Sequence, residues 1–268
     1  MASRTEQKAA ARAAREAKQQ QLNAEAARRR RLYTLGGALG AAIAALIVII
    51  IVSSSGGKGT APKTSPAAVA LVKRQLAGIP ESGNVLGNPN AKVTITEYGD
   101  LVCPVCASFA LTSEADLIAA EVKTGVAKLV YRGFETASGT ANNSEYVNTQ
   151  VAARAAGLQH RAWFYILLAY QVQPQTINGA PAETVSYINS AYLQGLAAKV
   201  PGLNLAQWQA NLVNNKLKAA VNADGQAALA AGATGTPTII VQGPKGTVKD
   251  PNAVPTLAQL QADIAQVS

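Results

Sequence analysis

The chain has 268 residues, 49% of them hydrophobic and 15% charged, with a formal net charge of +9. This composition excludes a highly charged disordered chain, which could not bury enough apolar surface to fold. Two cysteines and one histidine exclude a disulfide-stapled scaffold, a four-cysteine metal site within one chain and the usual multi-histidine centres, and they leave little room for a serine–histidine triad.

Residues 1–31 form a basic tail in which nine Lys and Arg face only Glu6, Glu16 and Glu25. The high net charge is therefore mainly a property of the tail. Arg28 to Arg31 abut an uncharged apolar run from Leu32 to Val52. As a helix this run spans ~30 Å, the thickness of a bilayer's hydrocarbon core. The expectation is a single membrane helix over 32–52 and no nucleic-acid role for the tail. Positive residues remain on the cytoplasmic side, so the rest of the chain is expected outside. A cleaved signal peptide is the alternative, with Ser53–Gly56 as a weak cleavage site. The tail is long for a signal peptide, and the apolar run exceeds the usual ~7–15 residues. Gly36-x-x-x-Gly40 permits close helix packing, a weak sign of dimerisation.

Residues 53–84 carry Ser, Gly, Pro and Thr and read as a linker, interrupted by a short amphipathic piece near Val69–Leu76. The folded domain is expected over 85–268. Lys92–Tyr98 alternates and is rich in β-branched residues, which predicts a strand with Val93, Ile95 and Glu97 on one face. A turn then leads into Cys103-Pro104-Val105-Cys106. A helix follows over Ala107–Lys123, stopped at Thr124-Gly125, and Ala127–Phe134 is a second strand. A helical block is expected over about 140–232, with helices at 183–199 and 205–218. Thr238–Gln242 and Thr247–Lys249 predict a hairpin, and Leu257, Leu260, Ile264 and Val267 predict a closing amphipathic helix. The order is that of an α/β fold with a helical insertion.

A Cys-x-x-Cys pair can be a redox dithiol, half a zinc site, a structural disulfide or two inert thiols. Zinc needs two further ligands, and His160 is the sole histidine, so no metal is expected. A disulfide closing so short a loop removes little unfolded-state entropy. Placement at a helix start favours the redox reading, because unsatisfied N–H groups and the helix dipole stabilise a thiolate there. The thiolate is the nucleophile. Cys103 is expected to be the exposed, low-pKa attacker. Cys106, one turn deeper on the same face, is expected to close or resolve the disulfide. Pro104 pre-sets the first turn. The alternation also puts Glu97 among apolar neighbours, where a carboxyl pKa rises. Asp100 reads as a turn former.

Gly87–Cys106, Leu129–Phe134 and Gly235-Thr-Pro-Thr-Ile-Ile240 together resemble the DsbA-like thioredoxin-fold family over about 85–268. The resemblance implies a thiol:disulfide oxidoreductase that needs no cofactor beyond its Cys103–Cys106 disulfide. It implies that Pro237 is a cis-proline facing the dithiol, that the Thr236 backbone pairs with a substrate strand beside Pro104 and Val105, and that Glu97 is the buried acid beneath Cys106. It implies exported cysteine-containing proteins as substrates and a membrane quinone-linked thiol oxidase as recycling partner. One departure matters: Pro104-Val105 stands where the strongest oxidants have Pro-His. Valine offers neither charge nor donor, so a weaker oxidant is expected and the direction of electron flow is open. A reductase or isomerase is the second reading. A non-catalytic binding module presenting Trp163 and Trp208 is the third.

Overall fold

A computed structural model describes residues 64–137 and 143–268. The expected tail and membrane helix at 1–52 lie outside the described residues. Among the described residues no helix is long and apolar enough to cross a membrane.

Regular structure begins well before the expected boundary at Val85. The Ser65 hydroxyl accepts from Ala68 N at 3.1 Å and opens helix α1 (Pro66–Gln75), with proline in the first turn where its missing N–H costs nothing. Ala68 and Val72 are its buried face. Strands β1 (Glu81–Ser82) and β2 (Val85–Leu86) then form a minimal hairpin. The end of the expected linker is therefore part of the domain.

The central strands are β3 (Val93–Gly99) and β4 (Ala127–Gly133), which pair in parallel. A parallel pair needs a crossover, and here it is helical: α2 (Pro104–Leu111), α3 (Ser113–Leu117) and a π-helical turn (Ile118–Val122). The sequence reading expects one helix over this stretch. It breaks at Thr112, whose hydroxyl donates to Ser108 O at 2.6 Å and whose backbone leaves helical values at φ −124, ψ −98. A β-branched hydroxyl that bonds back one turn competes with the helical ladder.

The helical block contains α4 (Asn143–Gly157) and α5 (Ala162–Gln171). Every residue of α5 from Ala162 to Tyr170 is buried, as its unbroken apolar run requires. The helix expected at 183–199 starts only at α6 (Ser190–Ala197). Before it, β5 (Thr176–Ile177) and β6 (Ala180–Pro181) close a hairpin on Asn178 (φ 51) and Gly179 (φ 83), the left-handed pair that tight hairpin turns demand. The helix expected at 205–218 is two, α7 (Leu205–Asn211) and α8 (Asn215–Ala230), because the Asn214 side chain accepts from Lys216 N at 2.9 Å and caps a new helix. Trp163 and Trp208 are fully buried, so neither offers the exposed binding face of the third reading.

Strand β7 (Thr238–Gly243) runs antiparallel to β3 and turns into β8 (Gly246–Lys249). The sheet order is β1-β2-β4-β3-β7-β8. Helix α9 (Leu257–Val267) closes the chain behind a reciprocal Thr256–Gln259 cap. With β3 in the centre, its C-terminal end and the turn beyond it are surrounded on all sides.

Candidate functional site

The site grows from the end of β3. Asp100 is fully buried and holds the turn shut. Its Oδ1 accepts from Val102 N and its Oδ2 from Thr136 N, both at 3.0 Å. Its carbonyl accepts from Cys103 N at 2.9 Å. Asp100 is thus a turn former, as expected, and also ties the dithiol turn to the loop after β4.

Cys103 is the N-cap of α2, with φ −71 and ψ 121 and no side-chain capping bond. Its sulfur occupies the place where Ser or Asp would meet the unsatisfied N–H groups. Pro104 is the first helical residue. Cys106 lies one turn on and is wholly buried, while Cys103 is 5% exposed. The sequence reading expects an exposed Cys103. It is covered because the loop before β7 folds across it: the Cys103 thiol donates to Thr236 O at 3.5 Å. The Thr236–Pro237 peptide is cis. Pro237 is buried, whereas Thr236, Pro104 and Val105 are half-buried at the rim. Thr136 and Thr236 share a short hydroxyl–hydroxyl hydrogen bond, which joins the loop after β4 to the loop carrying the cis-proline.

The two thiols are free, and their surroundings push them in opposite directions. The Cys103 pKa is lowered, first because the Cys106 thiol donates to it, then by contacts from Thr236 and the Cys106 N–H; burial and the Asp100 charge oppose the shift. Cys106 is held well above the ordinary thiol range by burial first, then by Cys103 and Glu97. One thiol is built to ionise and its neighbour to keep a proton.

Glu97 is fully buried on β3, between Tyr131 of β4 and Ile239 of β7. Burial raises its pKa well above the carboxylate range, with Glu114 and Cys103 adding to the effect. Glu114 of α3 is also fully buried, and burial pushes its pKa to about 7. None of the four carboxyl oxygens meets an N–H or hydroxyl donor. The two carboxyls act on each other instead, Glu114 adding to the upward shift of Glu97. Nearby, Gln150 Nε2 donates to the Tyr131 hydroxyl at 3.3 Å, the Tyr131 and Tyr170 hydroxyls are 3.3 Å apart, and the Tyr170 hydroxyl donates to Asp100 O at 3.4 Å. Gly99 makes room for this cluster. A Cβ there would lie 2.8 Å from Tyr131 Cε2, 2.9 Å from Glu97 Oε1 and 3.0 Å from the Tyr170 hydroxyl.

Cys103, Cys106, Pro104, Val105, Thr236, Pro237 and Glu97 therefore converge on one end of the sheet. Sequence reasoning missed Glu114, Thr136, Tyr131, Tyr170 and Gly99. For Glu114 a signal existed: Cys106, Ala110 and Glu114 recur every four residues, one face of a helix, and all three are buried. Nothing local marks Thr136 or Tyr170, because their contacts cross from other elements.

The thioredoxin family's sequence profile matches residues 80–260, which is more than half of the chain. No curated protein matches the sequence. Among solved structures, oxidised BdbD from Bacillus subtilis superposes with a TM-score of 0.58 at 16% identity, covering 78% of this chain and 98% of that one. DsbA from Chlamydia trachomatis gives 0.54 at 16% identity, covering 68% and 90%. A thioredoxin-like oxidoreductase from Silicibacter pomeroyi gives 0.52 at 22% identity, covering 72% and 95%.

Proposed function

The chain belongs to the thioredoxin family and carries a DsbA-like fold, and on that footing we propose that it is a thiol:disulfide oxidoreductase whose dithiol is Cys103 and Cys106. The observation that carries this reading is the placement of the two thiols: Cys103 caps α2 with its sulfur 3.5 Å from Thr236 O, and Cys106 lies buried one turn on. The lowering of the outer thiol and the raising of the inner one agree with it. The Silicibacter relative's description as an oxidoreductase points the same way.

The reaction is oxidation of cysteines in exported proteins. A substrate thiolate attacks Cys103 Sγ of the disulfide, the S–S bond breaks, and its electron pair leaves on Cys106, which takes a proton. A second substrate thiolate then attacks the substrate sulfur of the mixed disulfide. Cys103 leaves as thiolate, the substrate gains a disulfide, and the enzyme's two cysteines are reduced. Stabilising the Cys103 thiolate favours the reduced enzyme and hence oxidation of substrate. The half-buried rim of Pro104, Val105 and Thr236 offers the surface on which a substrate strand would lie. Reoxidation falls to a membrane quinone-linked thiol oxidase. The basic tail and the apolar run over 32–52 support a single-pass anchor with the dithiol outside the cytoplasm.

Changing Cys106 to Ser removes the enzyme's own thiol that can attack Cys103 in a mixed disulfide and release the substrate. Mixed disulfides joined through Cys103 are expected to accumulate in cells expressing this variant, and their absence would sink the mechanism. The equilibrium with glutathione decides direction: an oxidising potential supports the oxidase. A strongly reducing one supports the reductase or isomerase reading; Val105, lacking any donor, is expected to make a weaker oxidant.

A further inference from the structure

We propose that Glu97 and Glu114 act as one proton-sharing carboxyl pair beneath the dithiol, with Glu114 a positioning residue that sets, through Glu97, when Cys106 receives its proton. The inference rests on reading Cys103 and Cys106 as the exchanging dithiol and adds to it a second acid from another element.

The geometry is unusual for two acids. Glu97 comes from β3 and Glu114 from α3, and both are completely shielded from solvent. A lone buried carboxylate normally gathers N–H donors or a cation. These two gather neither: their four oxygens meet no N–H or hydroxyl, and no Lys or Arg contributes to the shift of either. Among the described residues Arg154 pairs with Asp224 instead. The titratable groups that face the pair are Cys103 and Cys106 from α2, Tyr131 from β4 and Tyr170 from α5. None of them supplies a positive charge. Two carboxylates pressed together in a dry space cannot both ionise, so they retain at least one proton between them and titrate as a unit.

That retained proton has a use. When the disulfide is attacked, the electron pair of the broken S–S bond goes to Cys106 Sγ, which sits out of reach of bulk water. Glu97 is the buried acid whose charge is felt at Cys106. A doubly protonated pair transfers one proton to Cys106 Sγ and keeps the other shared between Glu97 and Glu114, ending with a single delocalised charge. A singly protonated pair would end as two facing carboxylates, which is unfavourable. Glu114 therefore determines the pH at which Glu97 stops being a ready donor. Burial raises the Glu114 pKa to about 7, which puts this control in the neutral range.

The experiment uses the full chain and the Glu114→Gln variant, equilibrated with reduced and oxidised glutathione across pH, with the protonated-carboxyl infrared band followed in parallel. Wild type is expected to show two interdependent carboxyl steps and a matching break in the plot of reduction potential against pH. In E114Q the partner's charge is gone and an amide donor replaces it. A single step is expected, with the upper break moved down by about one pH unit, and Glu114→Asp is expected to restore two steps. Glu97→Gln supplies the second variant should E114Q fold poorly. If the E97Q and E114Q titrations simply add up to the wild-type curve, or E114Q leaves the break where it was, the pair does not share a proton and the proposal falls. If wild type fails to exchange with glutathione while the infrared steps persist, the oxidoreductase reading falls and the carboxyl pairing stands.

Discussion

The sheet end and the helical block contribute to the same site in different ways. Every atom expected to exchange electrons or protons comes from the sheet and its first crossover: Cys103, Cys106, Glu97 and Glu114. The block over 143–230 brings no such group. It brings the buried wall of α5, the Tyr170 hydroxyl on Asp100 O, and Gln173 Nε2, which donates to Leu101 O at 3.1 Å. The lesson is that the chemistry is local, while the dryness that shifts its pKa values is imported. Low dielectric is what turns a modest neighbour into a large effect.

Four substitutions test that division, the most severe first. Changing Cys103 to Ala is expected to reduce exchange with a peptide disulfide to the uncatalysed background without loosening the fold, read by exchange kinetics and urea unfolding together. The reverse pattern is expected in the block. Trp163→Ala deletes a fully buried ring, its edge contact with Tyr131 and its bond from Nε1 to Asn84 O at 3.0 Å. It is expected to cost about 3–5 kcal/mol in urea unfolding and to leave the nucleophile in place. A block substitution that abolished exchange without loss of stability would contradict the division.

The third test uses pH. Glu81 accepts from Trp163 N at 2.9 Å, and burial raises its pKa from 4.5 to about 7. Glu114 is raised to about 7 as well. Between 4.5 and about 7 the folded chain holds protons that the unfolded chain has released. Stability is therefore greatest at the acid end of that window and falls as pH rises through it. Glu81→Gln is expected to remove one proton's share of this slope, at most about 1.4 kcal/mol per pH unit, measured by urea titration at several pH values. The smallest effect is expected from Thr136→Val, which breaks the hydroxyl contact with Thr236. About 1 kcal/mol of stability should go, with a slight drift of the Cys103 titration as the facing loop relaxes.

Much of the sheet end was legible because its signals are local. Alternation placed Glu97 on the buried face of β3, and the proline after Cys103 announced a helix start. The Thr236–Pro237 pair was readable through resemblance rather than through periodicity. What escaped was set by single side chains that override a pattern. The Thr112 hydroxyl split one expected helix, and the Asn214 cap split another. Asn178-Gly179 was a hairpin signal inside what read as helix. The spacing of Cys106, Ala110 and Glu114 marked a buried face, but the importance of Glu114 depends on Glu97, 17 residues away on a different element. Thr136 and Tyr170 were invisible for the same reason: a hydrogen bond across the fold leaves no trace in local spacing.

The most direct measurement is the pH dependence of alkylation at each cysteine of the reduced protein, resolved by peptide mapping. Cys103 is expected to react at a pH below that of an ordinary cysteine, while Cys106 resists until far higher pH. Equal reactivity of the two, or a Cys103 curve that matches cysteine in an unfolded peptide, would contradict the claim that this fold divides one proton unequally between neighbouring sulfurs.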